Sequence, residues 1–154
     1  MVGIKRNYPS LYRKAQITGV EINKDIIDYF TNLKILNDIK LINSDYLLWE
    51  PKQKFELIII GNPPYGIPSP SVHYSIKIDN ITKEKYKDIY KTWYGKYNVY
   101  GAFIKKSVKI LKSDGQLIFI LPVTFMILDD FKKLRAFLSH NGYTKYNLFR
   151  SGCI

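Results

Sequence analysis

The residues best suited to chemistry are Asn62-Pro63-Pro64-Tyr65, part of a breaker cluster from Gly61 to Gly66 that stops a nearly uninterrupted apolar run from Phe55 to Ile60. An arbitrary Asn-Pro pair reads as a plain turn. Here the context differs, because the run predicts a strand and the loop then sits at its carboxyl end, where open α/β sheets gather their ligands. Two successive prolines fix φ and donate no N–H, so the Pro63 carbonyl is held as a rigid acceptor. Pro64 also drives Pro63 towards an extended conformation. The Asn62 side-chain oxygen is a second acceptor close by. Tyr65 adds a flat ring. Two fixed acceptors and a ring suit a planar group that carries NH2.

Such an amine is a poor nucleophile, because its lone pair is delocalised into the π-system. Acceptors on both N–H bonds favour a more tetrahedral nitrogen and stabilise the positive charge that develops during attack. The natural electrophile is the methyl of S-adenosylmethionine, approached from the side opposite sulfur. No metal is called for. One cysteine, Cys153, and two histidines offer no Cys-cluster zinc site, no intrachain disulfide and a poor basis for a His site.

The surrounding elements must position that loop. Ile17–Ile22 and Ile39–Ile42 read as short strands, and Gln116–Leu121 as another buried one. Residues 24–37 carry Ile27, Phe30, Leu33 and Leu36 at helical spacing. Residues 98–112 read as a helix with Val99, Phe103, Val108 and Leu111 among its apolar positions and the Lys105-Lys106 pair facing out. Leu128–His140 reads as a helix stopped by Asn141-Gly142, and residues 143–149 as a last strand. Residues 67–96 read as irregular. Apolar runs without alternation suit a parallel sheet covered on both faces. Strands alternating with helices predict an α/β fold with a mainly parallel sheet.

The ordered motifs resemble the N6-adenine DNA methyltransferases of restriction–modification systems, of the TaqI type. The resemblance runs from about Ile17 to Leu148. It is carried by Gly19-Val20-Glu21-Ile22, by Ser44 to Pro51, by Gly61 to Gly66, by Lys96 to Phe103 and by Gly115 to Pro122. It implies a Rossmann-like core dependent on S-adenosylmethionine. Glu21 matches the residue that binds the cofactor ribose hydroxyls, Asp45 the acceptor for the cofactor adenine amine, and Phe103 an aromatic packed on that adenine, with Tyr46 flanking the same ring. The bland alternatives are a solvated strand-end acid for Glu21, a turn or helix cap for Asp45 and plain core for Phe103. Asn62 and Pro63 match the residues that hold the target amine, and Tyr65 the aromatic that stacks on an adenine flipped from double-stranded DNA.

The charge balance fits that substrate. Lys and Arg number 24 against 13 acidic residues, a net +11, which favours polyanionic partners. Residues 73–100 interleave Lys77, Lys83, Lys85, Lys87, Lys91 and Lys96 with Tyr74, Tyr86, Tyr90, Trp93, Tyr94, Tyr97 and Tyr100. This composition suits either a solvated helix with inward tyrosines or a surface for backbone phosphates and unstacked bases. Its place after the loop favours DNA contact.

Residues 1–16 hold only Gly3 before the first strand. By the resemblance, the first strand and glycine loop of the family are missing, as are the second base-sandwiching aromatic and the target-recognition domain. The expectation is a partial catalytic domain spanning 1–154, soluble and cytoplasmic with no membrane segment, with a complementary chain as the candidate partner to supply the missing segments. The alternatives are an inactive remnant or DNA-binding fragment, or a methyltransferase for rRNA or a protein glutamine amide.

Overall fold

The computed structural model describes residues 6–7, 9–34, 38–52, 58–67, 76–91 and 98–142. The chain divides into two compact units, Met1–Glu50 and Pro51–Ile154.

In the first unit helix α1 spans Pro9–Lys14. Its leading proline suits a first helical position, where an N–H has no intrahelical partner. Strand β1, Ile17–Glu21, leads through helix α2, Lys24–Asn32, to strand β2, Ile39–Asn43. The strands pair in parallel from Ile17 opposite Ile39 to Glu21 opposite Asn43. This is a β-α-β unit, as the apolar pattern predicts. A Cβ at Gly19 would lie 2.9 Å from Leu41 Cδ2, so a side chain there would make Leu41 shift. Asn23 caps α2 by accepting from the Asp25 N–H at 2.9 Å. The helix is shorter than the expected 24–37. Lys34 adopts a left-handed conformation with φ 52°, and its N–H closes on Thr31 O at 3.1 Å. Leu36 lies outside the described residues.

The second unit carries strand β3, Ile58–Gly61, helix α3, Asn80–Tyr90, helix α4, Tyr100–Ile110, and strand β4, Gln116–Phe119. Helix α5, Thr124–Ile127, and a 3-10 turn, Asp129–Phe131, then lead into helix α6, Lys132–Asn141. Strands β3 and β4 are parallel, with Ile58 opposite Gln116 and Gly61 opposite Phe119. The core gathers Tyr100, Ile104, Phe125, Phe131 and Leu134, against which Leu117 and Phe119 of β4 pack.

Four expectations change. Residues 80–90 are not irregular but form α3, opened by Asp79, which accepts from the Thr82 N–H at 2.9 Å and from its hydroxyl at 2.7 Å. These bonds hold the exposed Asp79 carboxyl below its ordinary range. The Lys105-Lys106 pair does not face out. Helix α4 is covered on more than one side, leaving Lys106 3% exposed, and Lys105 Nζ donates to the Tyr90 carbonyl at the end of α3. The segment 128–140 begins as a 3-10 turn, with α6 starting at Lys132. Finally, the β3–β4 sheet is not covered on both faces. Leu117 and Phe119 pack inwards, while Ile58, Ile60, Ile118 and Ile120 on the other face are 46%, 58%, 50% and 63% exposed. The strands carry isoleucine towards both faces, so their sequence shows no alternation although their burial does. The expected strand at 143–149 and residues 53–57 ahead of β3 lie outside the described residues.

Candidate active site

In the second unit the loop Asn62-Pro63-Pro64-Tyr65 leaves the carboxyl end of β3, where the sequence places it. Three sets of contacts define its path. At its root, Gly61 leaves no room for a side chain, because a Cβ there would lie 2.8 Å from the Phe119 ring. The Ile120 N–H also donates to Gly61 O at 3.4 Å, carrying the β3–β4 pairing to the loop's edge. At its far end Gly66 has φ 124°, a conformation that favours glycine. Its N–H donates to Asn98 Oδ1 at 3.3 Å, and its carbonyl accepts from the Val99 N–H at 3.2 Å. Asn98 Oδ1 also accepts from the Tyr100 N–H at 3.4 Å. The loop is thereby tied to the start of α4.

Tyr65 supplies the third tie. Its hydroxyl lies 2.5 Å from Asn62 Oδ1 and donates to the Ile120 carbonyl at 2.7 Å. Its ring meets the Tyr100 ring edge-on, with centroids 6.1 Å apart at 88°. Tyr100 in turn stacks on Phe131 at 4.9 Å and 17°. Tyr65 remains 42% exposed, so a docked ring still presents surface. Asn62 is also exposed, whereas Pro63 is buried. The structure therefore brings Asn62, Pro63 and Tyr65 together at one strand end.

Phe103 stands one turn into α4, half-buried. Its carbonyl accepts from the Ser107 hydroxyl at 2.8 Å.

In the first unit the acidic candidates share the carboxyl edge of the β1–β2 pair. Glu21 ends β1, and its Oε1 accepts from the Asn23 N–H at 2.8 Å. Asn43 Nδ2 donates to the carbonyls of Glu21 and Ile22, at 3.1 and 2.9 Å, fixing the chain as it leaves the sheet. Asp45 follows β2 by two residues. Its Oδ1 accepts from the Leu47 N–H at 2.9 Å, and its carbonyl accepts from the Trp49 N–H at 2.8 Å. The turn-capping alternative for Asp45 thus describes its local bonds, which also orient its carboxylate. Tyr46 lies beside Trp49, with ring centroids 6.5 Å apart.

The basic aromatic insert needs a correction. Tyr86 and Tyr90 on α3 are 3% and 1% exposed, and Tyr100 is 0% exposed. These rings are core and cannot stack on bases. Tyr86 and Tyr90 stand four residues apart on one face of α3, while Lys77, Lys85 and Lys91 remain exposed. Tyr74, Trp93, Tyr94, Tyr97 and Lys96 lie outside the described residues.

Sequence reasoning missed Asn98, Tyr100 as a support for Tyr65, and Ile120. Asn98 and Tyr100 fall within the Lys96–Phe103 stretch that resembles the family, yet that stretch gave no hint of their role. Ile120 acts through its backbone, which no residue type reveals.

Burial of Tyr100 raises its phenol above the ordinary value of 10.0, partly opposed by its contact with Thr124 Oγ1 at 3.5 Å. Burial likewise lowers Lys105, with Lys109 and Lys91 adding charge repulsion. Lys105 Nζ also lies 5.4 Å from the Phe137 ring centroid. Among the described residues no cluster of three His, Cys, Asp or Glu is placed to hold a metal ion. No helix among them is long and apolar enough to cross a membrane.

Parallel strands joined through helices define an α/β protein. Residues 5–151 match the Eco57I restriction-modification methylase family, and the chain belongs to that family. It is 50% identical over 102 residues to the Type II methyltransferase M.TthHB8I of Thermus thermophilus, covering 66% of this chain and 24% of that protein. It is 43% identical over 86 residues to the Type II restriction enzyme and methyltransferase RM.Eco57I of Escherichia coli, covering 56% of this chain and 8% of that protein. The Type II methyltransferase M.HincII of Haemophilus influenzae is 31% identical over 162 residues, covering 97% of this chain and 31% of that protein. The chain therefore spans a third or less of each of these relatives.

Proposed function

We propose that this chain is the catalytic part of a DNA methyltransferase that moves a methyl group from S-adenosylmethionine to adenine N6 within a restriction–modification system. The observation that carries the reading is the Asn62–Tyr65 loop, an exposed amide and ring pinned at the carboxyl end of a parallel strand. Membership of a restriction-modification methylase family supports it. The fold is read as a partial Rossmann-like core spanning 1–154.

The cofactor fits the donor set of this chain. Glu21 and Asp45 are carboxylates on neighbouring strand ends, each with an oxygen tied to a backbone N–H. A carboxylate suits paired ribose hydroxyls for Glu21 and an adenine amine for Asp45. Tyr46 supplies a ring for the same adenine. S-adenosylmethionine, when bound, supplies an electrophilic methyl group.

The chain's own residues do the rest. Asn62 Oδ1 and the Pro63 carbonyl accept the two N–H bonds of the target amine, pulling its lone pair out of conjugation. Both oxygens lie where positive charge grows on nitrogen, so their stabilisation is larger in the transition state than in the ground state. The surrounding prolines and the Gly66–Asn98 tie prevent the acceptors from reorganising. Tyr65 stacks on the extruded base, worth about 1–3 kcal/mol, which offsets part of the unstacking cost. Exposed Lys77, Lys85 and Lys91 hold the phosphate backbone.

Calorimetric titration of S-adenosylmethionine, with Asp45→Ala as control, tests the cofactor half. Binding that is lost in the variant supports the reading. A folded chain that binds no cofactor contradicts it and favours a non-catalytic DNA-binding fragment.

A further inference from the structure

Asn98 Oδ1 accepts from two backbone N–H groups, those of Gly66 at 3.3 Å and Tyr100 at 3.4 Å. A carbonyl oxygen has two lone pairs, so one side chain can serve both. The bond to Tyr100, two residues on, is that of a local turn, which asparagine forms readily. The bond to Gly66 crosses 32 residues and has no local reason. The Val99 N–H adds a second hold on Gly66 by donating to its carbonyl at 3.2 Å. Both backbone groups of Gly66 therefore face Asn98-Val99, in the φ 124° conformation that glycine tolerates. The N–H of Gly66 lies on the peptide that joins it to Tyr65. The other N–H belongs to Tyr100, whose ring meets the Tyr65 ring edge-on. Tyr100 is buried and stacked on Phe131, whereas Tyr65 is exposed. One oxygen thus ties the backbone beside the exposed ring to the backbone of the buried ring that supports it.

We propose that Asn98 is a positioning residue for methyl transfer: its side-chain oxygen holds the Tyr65–Gly66 peptide against the buried start of α4, and so sets where the Tyr65 ring stands and where the Asn62 and Pro63 acceptors face. This rests on the reading of that loop as the site that holds the target amine. Two prolines stiffen the segment between Asn62 and Tyr65, so a hold at its far end is felt at the acceptors. The role sets a requirement on residue type, an acceptor with the reach of asparagine. Aspartate meets it, because both partners are N–H donors and a carboxylate is favoured near the start of a helix. Serine keeps an oxygen for the local turn, but its oxygen stands one bond closer to the backbone and loses Gly66.

The test uses the full chain and reads the tie and the chemistry separately. Exchange of the Gly66 N–H with solvent, followed in proton–nitrogen spectra, should be slow in wild type and Asn98→Asp. It should be about tenfold faster in Asn98→Ser and Asn98→Ala. The Tyr65 ring resonances, displaced by the Tyr100 ring, should move towards those of free tyrosine in the same two variants. In methyl-transfer assays those two should lose about 10- to 100-fold in kcat. The KM for S-adenosylmethionine should stay within about twofold, and Asn98→Asp should keep kcat within about threefold of wild type. Asn98→Ser should melt within about 2 °C of wild type, because the local turn is kept. Wild-type kcat in Asn98→Ser and Asn98→Ala overturns the proposal. So does Gly66 exchange that is the same in every variant, failure of Asn98→Asp to rescue, or a kcat that falls only in step with the melting temperature. If the wild-type chain moves no methyl group, the proposed function fails instead, and the Gly66 and Tyr65 signals alone decide whether Asn98 positions the loop.

Discussion

At the scale of single residues, the account rests on what Asn62 and Tyr65 each contribute. Asn62→Ala removes an acceptor that acts on developing charge, so methyl transfer should fall about 10²–10³-fold, with DNA affinity little changed. Single-turnover kinetics would separate that loss from binding. Tyr65→Ala should also weaken base capture, read as lost 2-aminopurine fluorescence. Normal turnover in both variants would sink the assignment of the loop. The loop's residue types and its place after a strand were legible in the sequence, because proline and asparagine signal their own geometry. Its supports were not. Tyr65 finds Ile120 55 residues away, and Gly66 finds Asn98 32 residues away, contacts that only folding creates. Asp45 shows a further limit. Its local bonds are those of any turn aspartate, so its chemistry depends on what approaches the strand end.

At the scale of elements, the strands and the β-α-β order were legible because short runs of Ile, Leu and Val have few other readings. Helix α3 was not. Its buried residues are tyrosines, while its isoleucines Ile81 and Ile89 are 72% and 47% exposed, so the usual apolar stripe points the wrong way. The same tyrosines among lysines imitate a base-stacking surface. Tyr86→Ala and Tyr90→Ala should therefore each lower the melting temperature by roughly 10 °C or more, reflecting about 3–5 kcal/mol for a buried aromatic. DNA binding per folded molecule should remain. Helix α4 carries a second prediction. The Tyr100 phenol has a folded pKa above its unfolded value of 10.0. Its contribution to stability is complete below that value and is lost as pH rises through the folded one. Lys105, lowered by burial, works in the other direction, since its unfavourable charge is relieved as pH rises towards 10.5. Denaturant titrations at about pH 8 and pH 11 should show that Tyr100→Phe loses less stability than the wild type over that span. An equal loss would mean that the phenol does not titrate differently on folding.

At the scale of the whole chain, charge and uncovered apolar surface dominate. A net charge of +11 with exposed Lys77, Lys85 and Lys91 predicts DNA binding that weakens steeply with salt. Each of Lys77→Gln, Lys85→Gln and Lys91→Gln should reduce the slope of log K against log salt by about 0.9. A slope unchanged by all three would remove the second unit's basic face from the interface. The exposed isoleucines of the β3–β4 sheet form an apolar face of the kind that promotes association. Ile60→Thr with Ile118→Thr should raise solubility without lowering the melting temperature. The α/β class was legible at this scale from the order of elements, but the bare sheet face was not, because isoleucine on both faces of a strand reads as burial on both.

The most direct test of the central claim is transfer of a radiolabelled methyl group from S-adenosylmethionine to duplex DNA by the purified chain, with the modified nucleoside identified by chromatography. The account predicts label in N6-methyladenine, and its loss in Asn62→Ala. Folded chain that transfers no methyl, or that places it on another atom, would contradict it.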